Sequence, residues 1–162
     1  MLFHSLQILS IIILIILFTF SYIGFGVFLN NILFRNLKIF NLGQLGLLGI
    51  FFLIFLSYLT SLFVPHNLFH NIAILIIGIF FFAINKSKIK KSEIKILLYI
   101  ILLTLVFFFL AKNHDDFQYY HLPLSLSLSE KKVSFGMGLL NYGYRHHSSL
   151  LFLNSLTFLP II

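Results

Sequence analysis

The chain has 162 residues, 60% of them hydrophobic and only 9% charged, and its mean hydropathy is +1.06. A soluble domain of this length could not cover so much apolar surface, so the composition excludes a water-soluble globular fold. The formal charge of +7 does not point to nucleic acid, because the basic residues lie beside apolar runs, where they read as topology signals and anchors for anionic lipid.

Four apolar runs, Leu6–Leu29, Leu45–Val64, Leu68–Ile84 and Ile94–Ala111, approach or reach the roughly 17–25 residues that a helix needs to cross a bilayer. The first has no basic segment before it, a long apolar core and no small-residue cleavage site after it, so it reads as a retained span and not a signal peptide. Gly24 and Gly26, then Gly43, Gly46 and Gly49, suit close helix approach. The second and third runs are joined by Pro65-His66-Asn67. His66 and His70 stand four apart, a spacing that puts two imidazoles on one helix face. A zinc protease would need a glutamate directly after the first histidine, where Asn67 stands. The pair therefore reads as interfacial polar residues at a tight turn. In the fourth run Lys95 lies near the end, where its stem can snorkel to the headgroups. A fifth run, Leu150–Ile162, ends at "LTFLPII", short of a crossing. The expectation is an all-α integral membrane bundle of four full spans and a truncated fifth, the truncation pointing to an incomplete reading frame. There is no cysteine, so disulfides and thiol chemistry are excluded.

Loop charge sets the expected orientation. The first connection carries Arg35 and Lys38, and the third Lys86, Lys88, Lys90 and Lys91 against Glu93. Such loops stay cytoplasmic. Alternation then places the amino terminus, the Pro65 hairpin and the loop Lys112–Ser149 outside, periplasmic in a bacterium with two membranes.

That outer loop opens with "KNHDDFQYYHLP", where Asp115 and Asp116 account for two of the four acidic residues in the chain. The plainer reading makes them the solvated start of a helix, stabilised by its dipole, with Tyr119 and Tyr120 as interfacial aromatics. The functional reading has one carboxylate accepting a proton from an attacking hydroxyl, while the other binds a divalent metal that stabilises a departing phosphate. Adjacent like charges raise one another's pKa unless a cation sits between them. Pro123 would kink or end the turn that carries these residues. Leu124 to Ser129 alternates apolar and polar, which by period argues a strand. With no partner strand in view, the backbone of such a strand would go unsatisfied.

The segment "DDFQYYHLP", Asp115 to Pro123, resembles the acidic outer-loop signature of GT-C type membrane glycosyltransferases. Within that superfamily it is similar to a bacterial set of multi-spanning proteins with an Asp-Asp-x-x-x-Tyr-His-x-Pro pattern. The downstream "GMGLLNYGYRHHSSLLFLNSLTFLP" and the earlier "SLFVPHNLFHNIAIL" look like the same family's continuation and hairpin. The resemblance implies short interfacial helices in the outer loop, with Leu124–Ser129 as a helix lying along the interface, a polyprenyl-phosphate-linked sugar donor, and transfer to an acceptor with inversion. It implies Asp115 as base, and Asp116 as its acidic partner or a ligand for magnesium or manganese. Tyr120 and His121 become candidates for lining the donor-phosphate or acceptor pocket, with Arg145, His146 and His147 as further phosphate contacts. The chain would then be the amino-terminal portion of such an enzyme, inactive as it stands. Two other classes remain open: a small non-catalytic membrane subunit packed on a larger protein partner, and a transporter. The transporter is disfavoured because no ionisable residue falls near mid-span.

Overall fold

The computed structural model describes residues 2–34, 41–110, 117–140, 142–145 and 148–159. Among them there is no strand. In hydrocarbon every backbone N–H and C=O must be satisfied within its own segment, and long apolar runs meet that demand as helices. The long helices are α1 (Leu2–Leu33), α2 (Leu42–Ser61), α3 (Leu68–Asn85) and α4 (Lys91–Leu110). Three stretches, Gln7–Leu33 in α1 and the whole of α2 and α3, are long and apolar enough to cross a membrane, the mark of a multi-pass membrane protein. A π-helical turn, Phe117–His121, leads into α5 (Leu122–Glu130); α6 (Met137–Leu140), a 3-10 turn (Tyr142–Arg145) and α7 (Ser149–Thr157) follow.

Local chemistry fixes the helix ends. At the start of α2, Asn41 Oδ1 accepts from the Gln44 amide at 2.9 Å and Gln44 Oε1 from the Asn41 amide at 3.1 Å, a reciprocal cap. The helix therefore starts three residues earlier than the apolar run predicts, at Leu42 instead of Leu45. α3 is capped by Asn67, whose Oδ1 accepts from the His70 amide at 3.0 Å. Hydroxyls inside apolar helices bond back one turn, as when Thr19 Oγ1 donates to the Ile15 carbonyl at 2.7 Å.

The chain divides into two compact units, the first formed by Met1–Phe52 and Leu75–Lys112, the second by Leu53–Ile74 and Asn113–Ile161. In the first, Ile23, Val27, Leu42, Leu45 and Ile89 form a buried cluster, with Phe82, Ile94 and Leu97 packed on it. Glycines set the spacing of its helices. A Cβ at Gly24 would strike the Gly78 carbonyl oxygen, one at Gly26 the Leu45 carbonyl, and one at Gly49 the Tyr22 carbonyl. Close backbone approach is thus real at three of the five expected glycines, and Gly78 joins them. At Gly43 and Gly46 the nearest atoms would lie 3.4 and 3.8 Å away, ordinary contact. Where the backbones come together the aromatics interlock, with Phe28 and Phe81 stacked at 4.4 Å.

The second unit is built differently. Its apolar cluster is small, Leu124, Leu128, Leu151 and Phe152, with Tyr120, Val133 and Tyr144 against it. Pro123 stands in the first turn of α5, where its missing N–H costs nothing; it opens a helix after the π-helical turn. The alternating segment is helical, as expected against its period. Leu124 and Leu128, one turn apart, are the residues it buries most fully. The run from Leu150 forms α7, which ends at Thr157; Leu151, Phe152, Leu153, Ser155 and Leu156 are buried in it.

Candidate functional site

The second unit is held by polar groups that the hairpin after α2 supplies. The Thr60 carbonyl ends α2 by accepting from the Phe63 and Val64 amides at 3.0 and 2.9 Å. Pro65 then turns the chain, and the His66 amide donates to the Leu128 carbonyl at 2.7 Å, at the last turn of α5. The Val133 amide returns a bond of 2.8 Å to the Ser61 carbonyl.

His66 is fully buried at 0% exposure. Its Nδ1 lies 2.6 Å from Ser155 Oγ and its Nε2 2.9 Å from Thr60 Oγ1. The ring stacks on His70 with centroids 4.9 Å apart. A neutral imidazole has one N–H to give and one lone pair to fill. With the hydrogen on Nδ1, it goes to Ser155, whose own hydrogen reaches the Phe152 carbonyl at 2.7 Å, and Thr60 donates to Nε2. The other tautomer exchanges the two hydroxyls' roles, with Thr60 donating to the Leu56 carbonyl at 2.9 Å. Either way both ring nitrogens are satisfied. A hydroxyl this close to an imidazole is also how a nucleophile and its base begin. Ser155 is at 0% exposure, however, so no substrate reaches it and the pair is structural.

Asn71, likewise at 0% exposure, completes the arrangement. Its Nδ2 donates to the carbonyls of His66 at 2.9 Å, Ser155 at 2.8 Å and Phe158 at 2.8 Å. The last two are carbonyls at the end of α7, which the helix itself leaves without donors. One side chain at the start of α3 therefore caps a helix more than eighty residues on.

Burial, and secondarily the neighbouring His70, push the His66 pKa down from 6.5 to about 4. His66 is then neutral in the folded protein at neutral pH. An opened hairpin would take up a proton below about 6.5 that the closed one refuses, so stability is complete above that pH and is lost progressively as pH falls toward 4. Integrated over that window the loss is on the order of 3 kcal/mol. Thermal unfolding of the purified chain in detergent between pH 7.5 and 4.5 should show the decline, and His66→Gln should flatten it. Equal slopes for the two proteins would contradict the assignment.

The residues singled out by the motif fare unevenly. Asp115, Asp116, His146 and His147 lie outside the described residues. Tyr120 is half-buried against the small apolar cluster, with its ring centroid 4.1 Å from that of His121, which is also half-buried. Both sit on the π-helical turn ahead of α5. Arg145 is exposed and donates through Nε to the Gly138 carbonyl at 3.3 Å. It lines a groove of about 570 Å³ to which neither Tyr120 nor His121 contributes. Among the described residues no cluster of three or more His, Cys, Asp or Glu is placed to hold a metal. The sequence reading placed His66 and His70 at an interface and passed over Asn71, Thr60 and Ser155. The available signal was the density of polar residues in "PHNLFHN" between two apolar runs. Compared with protein-family models, with curated proteins and with solved structures, the chain matches none.

Proposed function

We propose that the chain is part of a GT-C-like membrane glycosyltransferase that takes a sugar from a polyprenyl-phosphate donor at the outer face of a bacterial inner membrane. In this reading α4 is a fourth span and the segment after it faces the periplasm. The observation that carries the proposal is the motif Asp115-Asp116-x-x-x-Tyr120-His121-x-Pro123 directly after a long apolar helix. A carboxylate at the bilayer edge is where a base must stand to meet a lipid-borne donor.

Asp115 takes the proton of the acceptor hydroxyl as its oxygen attacks the anomeric carbon. The bond from that carbon to the phosphate oxygen breaks, the phosphate keeps the electron pair and leaves as polyprenyl phosphate, and configuration inverts. Asp116 is the acidic partner of Asp115 and, with magnesium or manganese, would supply charge stabilisation at the leaving phosphate. Tyr120 and His121, held on one turn with their rings in contact, would line the donor-phosphate or the acceptor pocket. His146 is proposed to meet the donor phosphate, while Arg145 lines a groove to which Tyr120 and His121 do not contribute.

The test is Asp115→Asn in the full-length protein in native membranes, assayed for sugar transfer from a polyprenyl-phosphate donor. Loss of a general base should lower the rate by about 10²–10⁴-fold while membrane insertion is unchanged. Undiminished transfer would return the chain to the non-catalytic subunit reading.

A further inference from the structure

The groove beside Arg145 has a composition of its own. One wall is the last turn of α2 and the residues after it, Tyr58, Ser61 and Leu62. The opposite wall is the segment 133–139, which turns at Gly136 with φ of +85°, a conformation glycine adopts without strain. Phe152 of α7 forms the floor, stacked on Tyr58 at 4.1 Å. Phe135 and Leu139 are 90% and 87% exposed, among the most exposed apolar side chains described. Arg145 is the one charged residue in the described lining. Lys131 and Lys132, both exposed, directly precede the wall residue Val133. The nearby carboxylate Glu130 lines a different groove, with Asn67, Leu126 and Phe158.

We infer that this groove binds an anionic phospholipid, with its phosphate on Arg145 and the first part of an acyl chain along Leu62, Phe135 and Leu139. Three observations select that occupant. The volume lies in the range of about 300–1,000 Å³ typical of small-molecule sites. The lining is mostly apolar with a single guanidinium, the group that pairs two N–H donors with phosphate oxygens. The first wall is the end of α2, a membrane-span helix, so an acyl chain lying beside that helix needs no extraction from lipid to enter. A soluble metabolite would leave Phe135 and Leu139 in water, whereas a lipid chain covers them. The site stands whether or not the aspartates are catalytic.

The experiment is native mass spectrometry of the full chain in detergent, titrated with short-chain phosphatidylglycerol or phosphatidylcholine. The wild type should retain phosphatidylglycerol roughly fivefold to tenfold better, because phosphatidylcholine sets a choline cation beside the same phosphate and cancels the net charge that Arg145 attracts, worth about 1 kcal/mol per cation. Arg145→Gln should bring the two lipids within about twofold, and Arg145→Lys should keep part of the preference. The double variant Phe135→Ser, Leu139→Ser should weaken both lipids. Asp115→Asn should bind as the wild type does, which separates this inference from the sugar-transfer proposal. Because a groove variant may misfold, the unaltered chain is also irradiated with phosphatidylglycerol carrying a diazirine in its acyl chain. Adducts should fall within 58–62 and 133–139. Equal retention of the two lipids, adducts confined to other segments, or displacement of phosphatidylglycerol by millimolar inorganic phosphate would each overturn it, the last by making the site one for free phosphate.

Discussion

Asn71→Leu should unfold the second unit at markedly lower temperature than any exposed substitution in the chain. Leucine fills a similar space, so the loss is one of hydrogen bonding and not of volume. Three carbonyls, those of His66, Ser155 and Phe158, lose the donor they share. A buried acceptor left without a partner costs about 1–3 kcal/mol. Two hydrogens serve the three acceptors, so the expected total is roughly 3 kcal/mol, and more if the end of α7 frays. The Phe158 carbonyl is only partly buried and is the one that water can rescue. Differential scanning fluorimetry in detergent, with limited proteolysis to show which segment opens, measures the effect. Cleavage should move into 113–161 while the helices of the first unit stay protected. An unaltered melting temperature would mean that the Asn71 bonds contribute nothing net.

A comparable loss is expected in the first unit from Gly24→Val. The obstruction is backbone against backbone: the new Cβ meets the Gly78 carbonyl oxygen and lies against the Phe82 amide nitrogen. No rotamer relieves it, and α1 and α3 must move apart. Overpacking of this kind costs typically about 1–3 kcal/mol and sometimes more; here the loss of the tilted ring contact between Phe20 and Phe82, whose centroids lie 4.6 Å apart, adds to it. Gly46→Ala is the matched control. Its Cβ would find Ile23 Cγ1 at 3.8 Å, and alanine is favoured in helices over glycine by about 1 kcal/mol, so it should be neutral or slightly stabilising. Pairs of cysteines introduced in α1 and α3 should crosslink readily in the wild-type background and in Gly46→Ala, and poorly in Gly24→Val. Equal crosslinking in all three would show that the close approach is not maintained.

The contrast between these two variants also marks what could be read from the sequence. Long apolar runs have one common solution in lipid, so the positions of α1 to α4 were legible to within a few residues; the shift at α2 came from the Asn41–Gln44 cap, a polar detail that a hydropathy average blurs. Glycines could be flagged as packing residues, but Gly24 and Gly46 look alike in sequence and differ only in which backbone lies opposite. The helix over Leu124–Ser129 was legible only through the family resemblance, because its alternating pattern taken alone argues for a strand. His66 was not. Its partners Thr60 and Ser155 lie six and 89 residues away, and nothing local distinguishes a histidine facing water at a turn from one sealed under another helix. The groove at Arg145 escaped for the same reason, since its walls come from α2, from the segment after α5 and from α7.

The clasp formed by His66 and Asn71 also has an order in time. Spans can insert as they are made, because each satisfies its own backbone, but the hairpin's partners Ser155 and Phe158 are synthesised some 84 to 89 residues later. Closing so long a loop is entropically expensive before any bond rewards it. Until α7 emerges, a histidine and an asparagine designed for a dry interior must remain hydrated at the end of an inserted helix pair. The clasp can therefore close only after translation has passed Phe158.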